Sequence, residues 1–174
     1  MSFSLLKKIF ASDSYEAAAH DAYLILVGQA RQEYFYTKYG VADNLDGRFD
    51  VIVLHIFLLT SRIKNEAPEF LRSIWEVFFS DMDRSLREMG VSDTGVGKRI
   101  KKMAQAFYGR IDAYEKTIAD TDSFKESVKR NLYREASVTD EQLSELVAYV
   151  TRNRDFLKTQ TMEAIAKGEI KFCG

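Results

Sequence analysis

Apolar residues recur along this chain every three or four positions over long stretches, the spacing of helices that bury one face and wet the other. Between Ser14 and Tyr39 the series Ala19, Tyr23, Leu26, Val27, Ala30 and Tyr34 keeps that spacing. Ser12, Asp13 or Ser14 is available as its N-cap and Gly40 as its stop. A second helix is expected from about Asp46 to Lys64, apolar nearly all round and therefore the most enclosed. Ala67 to Met89 reads as a third, with Pro68 in the first turn, where a missing N–H does no harm, and Trp75, Phe78, Phe79, Met82 and Leu86 along one stripe. Ser92 or Asp93 caps a fourth from about Val96 to Ala119, lined by Ile100, Met103, Ala104, Phe107, Ile111, Tyr114 and Ile118. Asp122 to Arg134 and Thr139 to about Lys167 complete the series, the last opened by a Thr139–Gln142 capping box. Loops are short and no linker divides two cores. The pattern predicts an all-α fold: a single compact domain of about six helices over residues 14–168, with an N-terminal arm at 1–13 and a tail at 169–174.

Composition narrows the function classes. At 174 residues, 46% hydrophobic and 29% charged, the chain suits one globular domain that needs no disulfides. A net charge of −1 argues against a surface that binds nucleic acid all over. The lone cysteine, Cys173, has no partner for a disulfide and points to a reducing compartment. The longest apolar run, Val51–Leu59, is interrupted by His55 and falls well short of the roughly 20 residues a bilayer span needs. A buried helix and a cytoplasmic protein are expected. The stretch Phe3–Phe10 is too short for firm membrane binding, and packing or disorder is the preferred expectation for it.

No constellation for catalysis, metal or cofactor stands out. Neither His20 nor His55 has a carboxylate three residues before it, so the Glu-x-x-His pair of di-iron bundles is missing. His55 is expected as a hydrogen-bonded core histidine and His20 as a surface residue. Thr94-Gly95-Val96-Gly97-Lys98-Arg99 imitates a phosphate loop, but a Walker pattern needs glycine at 92 and a hydroxyl at 99, where Ser92 and Arg99 stand. Asp81 and Asp83 fall on different faces of a helix and suit ion pairs better: Asp81 with Arg84, Asp83 with Arg87, and Arg84 with Glu88.

What remains is a charged surface. On the fourth helix, Lys98, Lys102, Gln105 and Asp112 lie opposite the face centred on Ile100, with Lys101 and Tyr108 on one flank and Arg99 and Arg110 on the other. From Lys98 to Arg134 there are ten Lys or Arg and five Asp or Glu, a locally positive region in a balanced chain. A solvated helix face is the plain reading; a docking face for an acidic protein segment, RNA or anionic lipid is the sharper one. Lys98 and Arg99 at a helix start oppose the macrodipole, a local conflict of the kind found at functional sites.

The segments LDGRFDVIVLHIFLL (45–59) and FFSDMDRSLREMGVSDTGVGKRIKKMAQAFYGR (78–110), followed by Asp112-Ala113-Tyr114, resemble the ubiquinol–cytochrome c chaperone family over roughly residues 14–150. The resemblance implies a non-enzymatic chaperone that binds newly made cytochrome b, the membrane-embedded haem protein of respiratory complex III, and promotes assembly of that complex. It also implies two possible partners, the ribosome near its exit tunnel and a small helical protein. Without the long N-terminal extension of mitochondrial members, the chain is identified as a bacterial member, cytoplasmic or peripheral at the inner membrane.

The family's motif positions here include Asp46, Gly47, Arg48 and Phe49. The residues taken as client- or partner-binding are Asp81, Arg84, Arg87, Glu88, Asp93, Lys98, Arg99, Lys101, Lys102, Tyr108 and Arg110. Arg84 and the three lysines supply charge and Tyr108 contact area. The alternative is a ribosome- or RNA-binding helical module that uses the same basic face.

Overall fold

The structure, a computed structural model, describes residues 12–134 and 136–174, with side chains from residue 16 onward. The expected arm at 1–13, and with it the Phe3–Phe10 stretch, lies outside the described residues apart from the backbone of 12 and 13. Among the described residues the fold is all-α. The helices are α1 (Ser12–Ala30), α2 (Tyr34–Thr37), α3 (Leu45–Ile63), α4 (Pro68–Glu88), α5 (Asp93–Thr117), α6 (Thr121–Val128), a π-helical turn (Lys129–Tyr133), α7 (Asp140–Thr159) and α8 (Met162–Ala166).

Six of these are long, at the places the apolar spacing predicts, but three of the expected helices are interrupted. The first stops at Ala30 and re-forms as α2 after residues 31–33. The break turns Phe35 and Tyr39 inward, where both are buried. Asp122–Arg134 is α6 running into the π-helical turn, and the last helix breaks before Thr161, whose hydroxyl accepts from Ala164 N–H at 3.2 Å and caps α8. The capping box that opens α7 has both bonds: Gln142 N–H to Thr139 Oγ1 and Thr139 N–H to Gln142 Oε1, each 3.1 Å.

The described chain forms two compact units. The first takes in the chain up to residue 25, 63–106 and 160–170. Its core is apolar: Ala19, Tyr23, Phe70, Ile74, Phe78, Leu86, Val96 and Ile165 are buried, and the Tyr23 ring meets Phe78 edge-on at 6.2 Å. Gly168 ends α8 with φ +74, and a Cβ there would come within 3.2 Å of Asp21.

The second unit holds 26–62, 107–159 and 171–174. All ten residues 51–60 of α3 are buried. Each fully buried large apolar side chain among them stabilises the fold by about 1.5–3 kcal/mol. Phe35, Tyr39 and Tyr149 cluster on one side, and Phe57, Tyr114 and Phe124 on another.

Polar groups run through this core, most of them partnered, although the buried Tyr114 hydroxyl makes no hydrogen bond among the described residues. His55 is wholly buried, with Nδ1 2.8 Å from Val51 O and Nε2 2.9 Å from Tyr149 Oη; Gln29 Nε2 donates to the same Tyr149 oxygen at 3.0 Å. Desolvation depresses His55 to about 4, so its ring is neutral at pH 7. Asp50, also wholly buried, pairs with Arg110 Nε at 2.8 Å and Arg134 Nη2 at 2.9 Å. Burial pushes its carboxyl up to about 6, outweighing the two guanidinium groups that pull it down. Arg134 also reaches Asp46 at 2.8 Å and carries φ +55, a left-handed conformation rare for a residue with a Cβ. The tail belongs to this packing, because Asn153 hydrogen-bonds both backbone groups of Cys173.

Candidate partner-binding face

Nine of the eleven residues singled out in the sequence stand in the first unit, on the last turns of α4 and the start of α5. Gly90 sets the joint. At φ +81 it closes α4 with a Schellman pair, Val91 N–H to Leu86 O at 3.1 Å and Gly90 N–H to Arg87 O at 2.9 Å, which satisfies carbonyls the helix end leaves open. The chain then turns into α5, where Gly95 leaves room for Val91, whose Cγ1 lies 2.9 Å from where a Cβ would stand.

Across this joint the carboxylates are taken up. Arg87 Nε meets Asp83 Oδ2 at 2.6 Å, and its Nη1 bonds Asp93, so one guanidinium ties the end of α4 to the first turn of α5. Arg84 bonds Asp81, and Tyr23 Oη donates to the other Asp81 oxygen at 2.8 Å. These are the Asp81–Arg84 and Asp83–Arg87 pairs the helical spacing predicts. The third expected pair is absent: Arg84 turns to Asp81, and Glu88 is exposed without an ion pair to it.

Lys98, Arg99, Lys101 and Lys102 differ. All four are exposed, and no ion pair engages any of them among the described residues. Gly97 beside them meets nothing within 4 Å of its would-be Cβ, so the helix surface there is open down to the backbone. The macrodipole argument weakens, however. α5 begins at Asp93 rather than Val96, which puts Lys98 and Arg99 past the first turn, where the dipole has largely faded, and Asp93 supplies the favourable charge. Gly95 and Gly97, poor helix formers, are what made the start look later in the sequence.

Tyr108 and Arg110 lie further along α5, in the second unit. Tyr108 is 52% exposed. Arg110 is 9% exposed: it pairs with Asp50, donates to Asn131 O at 3.3 Å and lies over the Phe49 ring at 5.8 Å. The structure therefore gives Arg110 a place in the core of the unit rather than on a face.

The LDGRFD segment finds its explanation in the same core. Asn44 Oδ1 caps α3 by accepting from Gly47 N–H at 2.9 Å, and any Cβ at Gly47 would stand 1.9 Å from Ala42 O. Phe49 and Asp50 are buried, while Arg48 pairs at the surface with Asp43 at 2.7 Å. Reading the spacing alone did not find the Asp50–Arg110–Arg134 cluster. Its one signal is an aspartate placed directly before the longest apolar run.

The two histidines stand where the sequence reading expects them, His55 in the core with no carboxylate partner and His20 exposed. Among the described residues no three His, Cys, Asp or Glu side chains converge in a way that would hold a metal ion, and no helix is long and apolar enough to cross a membrane.

Comparisons with known proteins agree on one family. A crystal structure of the Cbp3 homolog from Brucella abortus superposes with a TM-score of 0.82 at 36% identity, covering 100% of this chain and 97% of that one. The ubiquinol–cytochrome c reductase complex assembly factor 1 of Xenopus laevis is 26% identical over 150 residues, 82% of this chain and 73% of that protein. Its Mus musculus counterpart is 24% identical over 160 residues, 89% of this chain, which spans about half (54%) of the mouse protein. The family model for the ubiquinol–cytochrome C chaperone matches residues 37–172. That stretch carries both the LDGRFD segment and the charged joint between α4 and α5, and the chain belongs to the ubiquinol–cytochrome c chaperone family, whose members are assembly chaperones rather than enzymes.

Proposed function

We propose that this protein is an assembly chaperone for ubiquinol–cytochrome c reductase, that its client is newly made cytochrome b, and that the first unit meets the client through the end of α4 and the start of α5. Family membership supports the pathway. The observation that carries the face is the contrast around the joint: Asp81, Asp83 and Asp93 are held by Arg84 and Arg87, while four exposed cations on α5 have no counter-charge among the described residues. A row of uncompensated charge costs little on a solvated helix and gives an incoming acidic segment both steering and register. The protein acts in the cytoplasm, peripherally at the inner membrane where such a client is inserted.

Photo-crosslinking in cells from probes at Lys98 and Lys102, with mass spectrometry of the adducts, tests this. Cytochrome b among the adducts, together with loss of the reductase on deletion, is the expected result. Ribosomal proteins or RNA alone would transfer the face to the ribosome. A separate probe at Tyr108 asks the same question of the second unit.

A further inference from the structure

The segment Lys171–Gly174 is held in the second unit chiefly by its backbone. Asn153, wholly buried on α7, accepts from Cys173 N–H through Oδ1 at 2.8 Å and donates to Cys173 C=O through Nδ2 at 3.0 Å. The preceding residue, Arg152, donates to Gly174 O at 2.9 Å, its guanidinium lying over the Tyr149 ring at 5.9 Å. A ring of the segment takes part as well: Phe172 meets His55 edge-on at 5.3 Å. Residues 169–174 form no helix; Glu169 N–H still reaches Ala164 O at 2.9 Å, whereas the main-chain groups of Cys173 and Gly174 take side-chain partners.

An amide that grips the N–H and C=O of a single residue does what a neighbouring β-strand does, and like a strand it is indifferent to the side chain between them. Recognition here is of extended backbone plus one aromatic ring. We propose that this seat is a binding site for extended, non-native polypeptide carrying an aromatic side chain, filled in this structure by the chain's own Lys171–Gly174 and opened to a client segment by exchange. The inference rests on the chaperone reading and adds to it a second contact, sequence-tolerant where the α5 face is electrostatic.

Exchange, rather than simple opening, follows from Asn153. An emptied seat leaves the buried Asn153 Oδ1 without the Cys173 N–H, its Nδ2 keeping only Tyr149 O at 3.0 Å, and a replacing backbone restores what is lost. The tethered tail competes at an effective concentration of roughly millimolar, so a free peptide must approach that level, whereas a client already held elsewhere on the protein does not.

Cys173 is the chain's single cysteine and half-buried, its Sγ 3.4 Å from Asn153 Oδ1, so its rate of alkylation by a maleimide reports release of the segment. The probe is the peptide Glu-Ile-Lys-Phe-Ser-Gly, which copies residues 169–174 with serine for the cysteine; its control has alanine for the phenylalanine. With the full chain, about millimolar probe should accelerate alkylation about fivefold or more, and the control should not. The exposed substitution Arg152→Ala should lower the probe concentration needed without disturbing the core. Asn153→Leu should label rapidly with no peptide and no longer bind a fluorescent copy of the probe. Equal action of probe and control, or no acceleration in either the native chain or Arg152→Ala, overturns the proposal. Neither result touches the chaperone reading, which is judged by loss of the reductase on deletion.

Discussion

The two units treat polarity in opposite ways. All the side chains counted as buried and polar or charged among the described residues, Asp50, His55, Thr60, Arg110, Ser127 and Asn153, lie in the second unit. The first unit has an apolar core and wears its charges outside, some paired across the Gly90 joint and, among the described residues, four cations of α5 without an ion pair. Partnered polar groups in a low-dielectric interior fix one arrangement, because any slip leaves a donor or charge stranded. Bare charges on a surface fix nothing internally and stay available to a partner. One unit thus spends its polar residues on its own shape, while the other leaves them facing solvent.

The harshest way to break this contrast is to remove matching carboxylates. Asp50→Ala strands Arg110, whose side chain is only 10% exposed, and should cost about 3–5 kcal/mol in chemical unfolding. Asp93→Ala, on a side chain 91% exposed, should cost at most about 1 kcal/mol although it too deletes an arginine pair. Similar losses from the two would erase the distinction between the units.

Acid sharpens it next. His55 sits at about 4 in the folded state against about 6.5 unfolded, so the unfolded chain takes up a proton first as pH falls. Its contribution is intact above pH 6.5 and is lost on the way down to pH 4, a difference of roughly 3 kcal/mol. The groups around it are Phe35, Tyr149, Phe172 and the Val51 carbonyl, and none carries charge at these pH values. Asp50 acts in the reverse sense. With its carboxyl raised to about 6, its contribution is fullest below the unfolded value of 3.8 and fades as pH rises through 6. The measurement is therefore a difference: stability against pH for the native chain minus that for His55→Gln, where the descending limb should disappear.

The gentlest change should leave stability nearly untouched. Reversing Lys98, Lys101 and Lys102 to Glu should alter unfolding by no more than about 0.5 kcal/mol per site, since all three are exposed and no ion pair engages them among the described residues. It should nevertheless abolish capture of cytochrome b by crosslinking. A large drop in melting temperature would assign these lysines to the fold.

Periodicity exposed the long helices because each buries a continuous stripe, and that signal depends only on residues three and four apart. Breaks at residues 31–33 and 160–161 carry no glycine or proline; they arise because Phe35 and Tyr39, and later Met162 and Ile165, gain more by burial than by continuing a helix. Local rules cannot see that gain. The ion pairs of α4 were legible for the reason the stripes were, being three and four residues apart, whereas Asp50 meets partners from α5 and from the end of the π-helical turn. Arg110 shows the limit most plainly. On a helical wheel it shares a flank with exposed Arg99, and only the third dimension supplies the carboxylate that draws it inward.

The reach of those partners also sets an order of events in time. Asp50 bonds Arg134 across 84 residues, and His55 bonds Tyr149 across 94, so while the chain is being made neither contact exists until most of it has emerged. Loop closure over such spans is slow compared with forming a helix hairpin, whose ends lie close together. The α4–α5 joint, drawn together by Arg87 and Gly90 over a few residues, needs no such span. In a nascent copy of this protein the local pairs of that joint therefore close before either unit, each of which draws on residues beyond 159, has all of its parts.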